Sequence, residues 1–419
     1  MKVAQRVREF KTAMSAKRMW INLLFGFSAG LPIMIVFSVV KIWARREGVD
    51  LGTIGLMGIV ALPYSLNFLA GPLLDGVTPS KMGRRRSWLL ITQLGLALSM
   101  FSLGLCDPVS SMSLVALVTL AIAIFGATQD VVIDAYRREI LPDEEIGIGS
   151  SLYVYGYRVA MLVTSGFGLW LASPETLGLE LSQVFQVLAV IMLFCTSFTF
   201  IADEPEVKEK SPESLREAVI DPFLEFIERS GLKSALIILA FIFFFKFGDA
   251  LVGTMLGTFY VDMGYTNKTI AEVTKFIGFF STMAGLGVGS MAIYRFGVTP
   301  CLFTFGLLQC ISTSLFALLT TEALKGTWKG LALVIGFEDF SSGLGTTALI
   351  AFMATMTNKK YTATQYALFA SLAALGKTLF GSGAGYLVES LGYVPFFFMG
   401  SVLALPGLAL IGLMTKIRE

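Results

Sequence analysis

ADEPEVKEKSPESLREAVIDPFLEFIERSGLK, residues 202–233, is the one long polar stretch of this chain, and it falls at the middle of 419 residues. Its Pro, Ser and mixed charges suit a solvated linker, partly helical, better than a buried segment. Apolar runs of roughly 20 residues lie on either side, each long enough to cross a ~30 Å hydrocarbon core. Upstream they cover 19–41, 51–74, 86–106, 112–137, 148–172 and 181–202. Downstream they cover 235–261, 269–294, 299–321, 327–356, 362–388 and 393–415. Lipid offers no partner to open backbone groups, and the runs lack the alternation of barrel strands, so they are predicted to be helices. The expected architecture is therefore an all-α membrane protein with twelve transmembrane helices in two six-helix halves. Residues 1–201 and 235–419 form the halves, and 202–234 form a cytoplasmic linker.

Composition agrees. Hydrophobic residues make up 55% of the chain and charged residues 15%, against about 25% charged in soluble domains. A net charge of +2, with bases in short patches, argues against a nucleic-acid partner. No histidine is present, which removes the commonest metal ligand and the imidazole base. Cys106, Cys195, Cys301 and Cys310 stand alone in or beside apolar runs, as small hydrophobes do. No metal or cofactor is expected, and no enzymatic activity. The run Met19–Val40 is too long for a signal-peptide core and is read as a retained helix. Of 32 Lys and Arg, 22 fall in the N-terminal segment and loops that share one side with it, and about five on the other. That bias puts both termini in the cytoplasm.

The two sides of the linker echo each other. Asp130 and Asp339 are 209 residues apart, and Arg158 and Lys377 are 219 apart. Charges inside a membrane are costly, and each is a functional hypothesis. Upstream these are Lys41, Asp130, Asp134 and Arg158; downstream they are Lys246, Asp249, Lys275, Glu338, Asp339 and Lys377. Asp130 and Asp134 share a helical face at i, i+4, which Arg137 continues, while Lys246 and Asp249 at i, i+3 could neutralise each other. Asp130, Asp134 and Asp249 are the candidate proton carriers. Gln129, Arg158, Lys246, Glu338, Gln365 and Lys377 are the candidate substrate ligands, with Tyr153, Tyr155 and Tyr157 beside Arg158. The competing reading is a set of buried structural ion pairs.

The segment Gly71-Pro-Leu-Leu-Asp75-Gly-Val-Thr-Pro-Ser-Lys-Met-Gly83-Arg84-Arg85-Arg86 resembles the signature loop of the major facilitator superfamily. Gly71 allows close helix approach, and Asp75 can pair with an Arg or face a helix N-terminus. Gly71, Asp75, Gly83, Arg84 and Arg86 are the expected conformational latch. A finer resemblance, to AmpG-type muropeptide permeases, is carried by several further segments. They include Gly26-Phe-Ser-Ala-Gly-Leu-Pro32, Gln129-Asp-Val-Val-Ile-Asp-Ala135, Gly156-Tyr-Arg158, Phe245-Lys-Phe-Gly-Asp249, Phe337-Glu-Asp-Phe-Ser-Ser-Gly-Leu-Gly-Thr346 and Tyr361-Thr-Ala-Thr-Gln-Tyr-Ala-Leu368. The likeness runs from about residue 20 to 415.

What the resemblance implies is a monomeric multi-pass protein of the bacterial inner membrane, carrying the major facilitator fold. It would import GlcNAc–anhydro-MurNAc, with or without peptide, by proton symport, with the site between the halves. Better-known members often carry two further helices and an amide where this chain has Asp339. The alternatives are a related transporter for another bulky anion (acetyl-CoA-like, nucleotide-like or a siderophore), a membrane enzyme, or a channel. The last two lack support: no phosphate loop, metal-ligand spacing or charged rings are found.

Overall fold

The computed structural model describes residues 14–49, 53, 57–171, 178–206, 220–380 and 384–418. Among these there is no strand, and helices run almost end to end. Before the linker come α1 (Lys17–Met34), α2 (Gly71–Gly76), α3 (Arg84–Leu103), α4 (Met112–Ile140), α5 (Ile146–Leu162) and α6 (Leu181–Ile201). The linker contributes α7 (Asp221–Ser230). After it come α8 (Leu232–Phe245), α9 (Phe247–Gly253), α10 (Phe279–Phe296), α11 (Val298–Leu315), α12 (Trp328–Met356), α13 (Thr362–Phe380) and α14 (Tyr393–Arg418).

Eight described helical stretches are long and apolar enough to cross a membrane by themselves. A ninth is counted if Trp328–Met356 and Lys359–Ala374, which meet at 106°, are taken together. Of the remaining expected spans, 86–106 falls on α3, which begins with three arginines. The span expected at 51–74 is not one α-helix. Its described part is a chain of short 3-10 and α turns from Met57 to Gly76, with Pro63 and Pro72 near the starts of two of them. Proline removes a backbone donor and clashes with the preceding turn, so helical segments restart at it. The span expected at 235–261 is likewise broken. Lys246 leaves the helical region (φ −107°, ψ 3°) between α8 and α9.

Several long helices carry π-helical turns, at Ile35–Val39, Val163–Phe167 and Val273–Gly278. The first follows Pro32, buried inside α1. Such turns are common at functional sites in helical proteins.

The bundle is apolar outside and encloses polar groups within an apolar core. Leu98, Leu117, Val190, Phe194 and Phe280 are more than 60% exposed, while Asp75, Arg85, Gln129 and Arg137 are fully buried. In water this distribution would be costly on both counts. Against lipid, the outer side chains meet a matching solvent and the charges find partners inside.

Glycine sets the closest helix approaches. Cβ atoms at Gly26 and Gly30 on α1 would fall on the carbonyls of Tyr153 and Tyr157, and one at Gly156 on α5 would fall on that of Leu23. The Gly26/Gly30 pair is a small-xxx-small face, which lets two backbones touch where side chains would hold them apart.

Candidate functional site

Three clusters of polar groups stand inside the bundle. The first is built on α4. Asp134 pairs with Arg137 at 2.7 Å, one turn further along, and Arg137 also donates to the hydroxyl of Tyr366 on α13 at 2.9 Å. The guanidinium lies 4.5 Å above the Tyr153 ring and 5.5 Å from that of Tyr366. One cation thus joins helices from both sides of the linker. Asp130, one turn back, keeps one carboxyl oxygen without a hydrogen-bond partner, and so do the Tyr64 hydroxyl and both side-chain polar atoms of Gln129. Tyr64, Tyr153 and Tyr157 lie within the electrostatic reach of Asp130.

The second cluster lies after the linker. The break at Lys246 frees its ammonium to contact Asp249 at 3.0 Å and the Ser342 hydroxyl on α12 at 3.1 Å. Gln309 on α11 donates to Asp249 at 3.5 Å. Glu338 on α12 is buried within reach of Asp249, Lys246 and Ser312, with one carboxyl oxygen unpartnered. Asp339 accepts from Thr282 on α10 and lies in the field of Arg158. Arg158 is exposed and forms no ion pair or hydrogen bond among the described residues. Among the described residues, acids outnumber bases by one in each group: Asp130 and Asp134 against Arg137, then Asp249, Glu338 and Asp339 against Lys246 and Arg158.

The third cluster is at the end of the bundle that carries the linker. Asp75, fully buried at the end of α2, accepts from Arg85 at 2.7 Å. It also accepts from the backbone of Thr364 at 2.9 Å, the Thr364 hydroxyl at 2.9 Å and the backbone of Ala363 at 3.3 Å. Asp75 therefore takes both roles open to it, an Arg partner and a helix N-terminus, here that of α13. A Cβ at Gly71 would collide with the Thr364 backbone. Gly83 has φ of +101°, a conformation costly for other residues, and turns the chain into α3. Glu204, just past α6, then caps α3 through the backbone N–H groups of Arg85 and Arg86, at 2.8 and 3.0 Å. Arg84 meets Glu139 at 3.2 Å, and Arg86 donates to the last carbonyls of α6.

The candidate residues are thus only partly gathered. Gln129, Asp130 and Asp134 stand together on α4. Lys246, Asp249 and Glu338 stand together after the linker, with Asp339 next to Glu338 in the field of Arg158. Gln365 stands apart from both groups. Expected to meet substrate, it is buried at the linker end, accepts from Asn358 N–H at 2.7 Å, and donates to the Pro222 carbonyl and Glu225. Its amide is fully engaged in holding α7. Lys377 lies on α13, and its side chain falls outside the described residues.

Arg85 and Glu139 were not singled out by sequence. Arg85 is wholly buried and bonds both Asp75 and Glu139, the latter at 2.5 Å. In sequence, nothing sets Arg85 apart from its neighbouring arginines. Glu139 directly follows the Arg137–Arg138 pair and looks like ordinary loop charge.

Comparison with known proteins places the chain in a family. The model of the Major Facilitator Superfamily matches residues 23–337. An uncharacterised protein of Haemophilus influenzae is 37% identical over 400 residues, 94% of this chain and 93% of its own. The anhydromuropeptide permease of Escherichia coli K12 is 34% identical over 409 residues, covering 97% of this chain and 81% of the permease. Among solved structures, the transporter FucP in its outward conformation superimposes with a TM-score of 0.71 at 11% identity, over 96% of this chain and 99% of FucP. The proton:xylose symporter XylE gives 0.66 at 13% identity, over 95% and 94%. The chain is a multi-pass membrane protein of the major facilitator superfamily and belongs, within it, to the AmpG-type family of permeases.

Proposed function

We propose that this protein imports muropeptides, GlcNAc–anhydro-MurNAc with or without its peptide, across a bacterial inner membrane, driven by protons. The linker end and both termini face the cytoplasm in this reading, and the protein works as a monomer. The observation that carries it is the pair of polar clusters, one on α4 and one centred after the linker and completed by Arg158, each with one more acid than base among the described residues. The name of the Escherichia coli relative supplies the substrate class.

The roles follow from the chemistry. A muropeptide brings sugar hydroxyls and at least one carboxylate. Arg158, exposed and without an ion pair, can take that carboxylate in a charge-assisted contact. Gln129 and the Tyr64 hydroxyl are buried without partners and can hydrogen-bond a sugar. An uncompensated carboxylate in a low-dielectric interior is costly, so the excess acid of each cluster is a place for a proton. Asp130 is the residue proposed to carry it upstream, because Arg137 already serves Asp134. Asp249 shares Lys246 with two further acids and is proposed to do so downstream.

The contacts at the linker end would close the cytoplasmic side while substrate enters from the other. Opening inward would then require Asp75 to leave α13 and Arg137 to leave Tyr366. The test is uptake of labelled GlcNAc–anhydro-MurNAc peptide into proteoliposomes under an imposed pH gradient. Accumulation that collapses with a protonophore supports the proposal. Binding and uptake of acetyl-CoA or a siderophore, with no muropeptide uptake, would replace it by the second reading.

A further inference from the structure

Linker helix α7 has three distinct faces. Successive residues advance by about 100° at 3.6 per turn, so Ile220, Phe223, Leu224 and Ile227 form one stripe at i, i+3, i+4 and i+7. All four are exposed, at 46%, 39%, 43% and 36%. A second face docks on the bundle. There Pro222 and Phe226 are buried, and the Phe226 ring meets that of Phe369 on α13 at 5.2 Å. The third face holds Asp221, Glu225 and Glu228. Glu225 also receives bonds from Gln365 and Asn358, at 2.7 and 2.8 Å, and Arg229 donates to the last carbonyl of α12 at 2.8 Å. These bonds hold the helix in place, so the apolar stripe is not the surface that attaches it to the protein.

We propose that α7 lies in the membrane interface, with Ile220, Phe223, Leu224 and Ile227 among the acyl chains, and ties the start of α13 to the bilayer surface. Continuity with the lipid-facing surface identifies the occupant. Gly231, at φ +76°, turns the chain directly from α7 into membrane helix α8. The first outward residues of α8, Leu232 and Leu236, are 61% and 58% exposed. Phe223 and Ile227 line an open apolar crevice with Leu239 of α8 and Leu368 of α13. Lys233, in the first turn of α8, and Lys359, just before α13, are exposed, as phospholipid phosphates favour. Four side chains are too small a patch for a stable protein interface, which needs on the order of 1,000 Å². An amphipathic helix with one apolar and one charged face is, by contrast, the form that beds ~5–10 Å into a headgroup layer.

This inference stands apart from the substrate, and its test does not involve transport. The full-length protein is reconstituted in phosphatidylcholine–phosphatidylglycerol vesicles, with a nitroxide at Phe223→Cys, Ile227→Cys or Glu228→Cys in turn. Unsubstituted protein labelled alike gives the background, which three buried native cysteines and the half-buried Cys106 keep low. Collision rates with oxygen, which partitions into lipid, and with a water-soluble nickel chelate are then compared. The oxygen-to-nickel ratio is expected to be several-fold higher at 223 and 227 than at 228. Equal ratios would place the stripe in water and overturn the proposal. Low collision with both probes at 223 and 227 would mean that protein covers the stripe, and would overturn it too. Ile227→Trp, quenched by brominated lipid and not by aqueous iodide, is a second readout should cysteine labelling perturb the helix.

Discussion

At Asp75 a single carboxylate is shared between Arg85, to which it is paired at 2.7 Å, and the first N–H groups of α13. Removing one partner of a buried pair leaves an uncompensated charge, at about 3–5 kcal/mol. Asp75→Ala is therefore expected to lower the thermal midpoint in detergent strongly. Asp75→Asn should lower it less, because its amide oxygen still accepts from Thr364. Equal losses for the two would mean that the carboxylate charge is not what holds Arg85. Two further residues carry the transport proposal. Asp130→Asn should abolish gradient-driven accumulation while leaving energy-independent exchange across the membrane, measured with preloaded vesicles. Arg158→Ala should weaken muropeptide binding by roughly tenfold to a hundredfold, since a charge-assisted contact contributes ~1.5–3 kcal/mol at ~1.4 kcal/mol per decade. Calorimetric titration reads it directly, and unchanged affinity would move the carboxylate site elsewhere.

Between elements, the α1–α5 seam depends on hydrogen in place of a side chain. Gly156 sits against the Leu23 carbonyl, and a backbone carbonyl cannot swing aside as a flexible side chain can. Gly156→Val should destabilise by at least ~1–3 kcal/mol, the usual cost of overpacking, read as a fall in thermal midpoint and in folded yield. Gly166→Ala is the control. A Cβ there meets open space, so the midpoint should hardly move. The same seam positions Tyr153, Tyr157 and Arg158 on α5, and a forced separation would misplace all three.

In the whole molecule, several bonds among the described residues join helices across the linker. Ser151 on α5 donates to the Leu286 carbonyl on α10 at 3.0 Å and contacts Thr347 on α12 at 3.2 Å. Tyr155 donates to the Met283 carbonyl, and Asn67 accepts from Ser371 at 2.9 Å. With Asp75–Thr364 and Arg137–Tyr366, these close the bundle towards its linker end. Combining Asp75→Asn with Thr364→Val should populate a form opened at that end. Electron–electron distances between spin labels near Pro142 and Lys359 should then lengthen, and no change would mean that other contacts hold the closure. Orientation is checked separately. Cysteines at Lys210 and beyond the C-terminus should react only from the cytoplasm, and one near Thr327 only from outside.

Much of this was legible in the chain of residues. Apolar runs of membrane length, a polar linker at mid-chain and bases gathered in alternate loops depend on local composition, and lipid enforces them segment by segment. The charges within those runs could be picked out for the same reason, since each is costly wherever it lies. Partner choice could not be read in this way. Asp75 finds the start of α13, 288 residues further along, and Gln365, chemically fit for a sugar, is used up by the linker helix. Arg85 differs from Arg84 and Arg86 only in the direction its helix turns it. A buried charge or amide takes its role from what faces it across several helices, and tertiary packing alone supplies that.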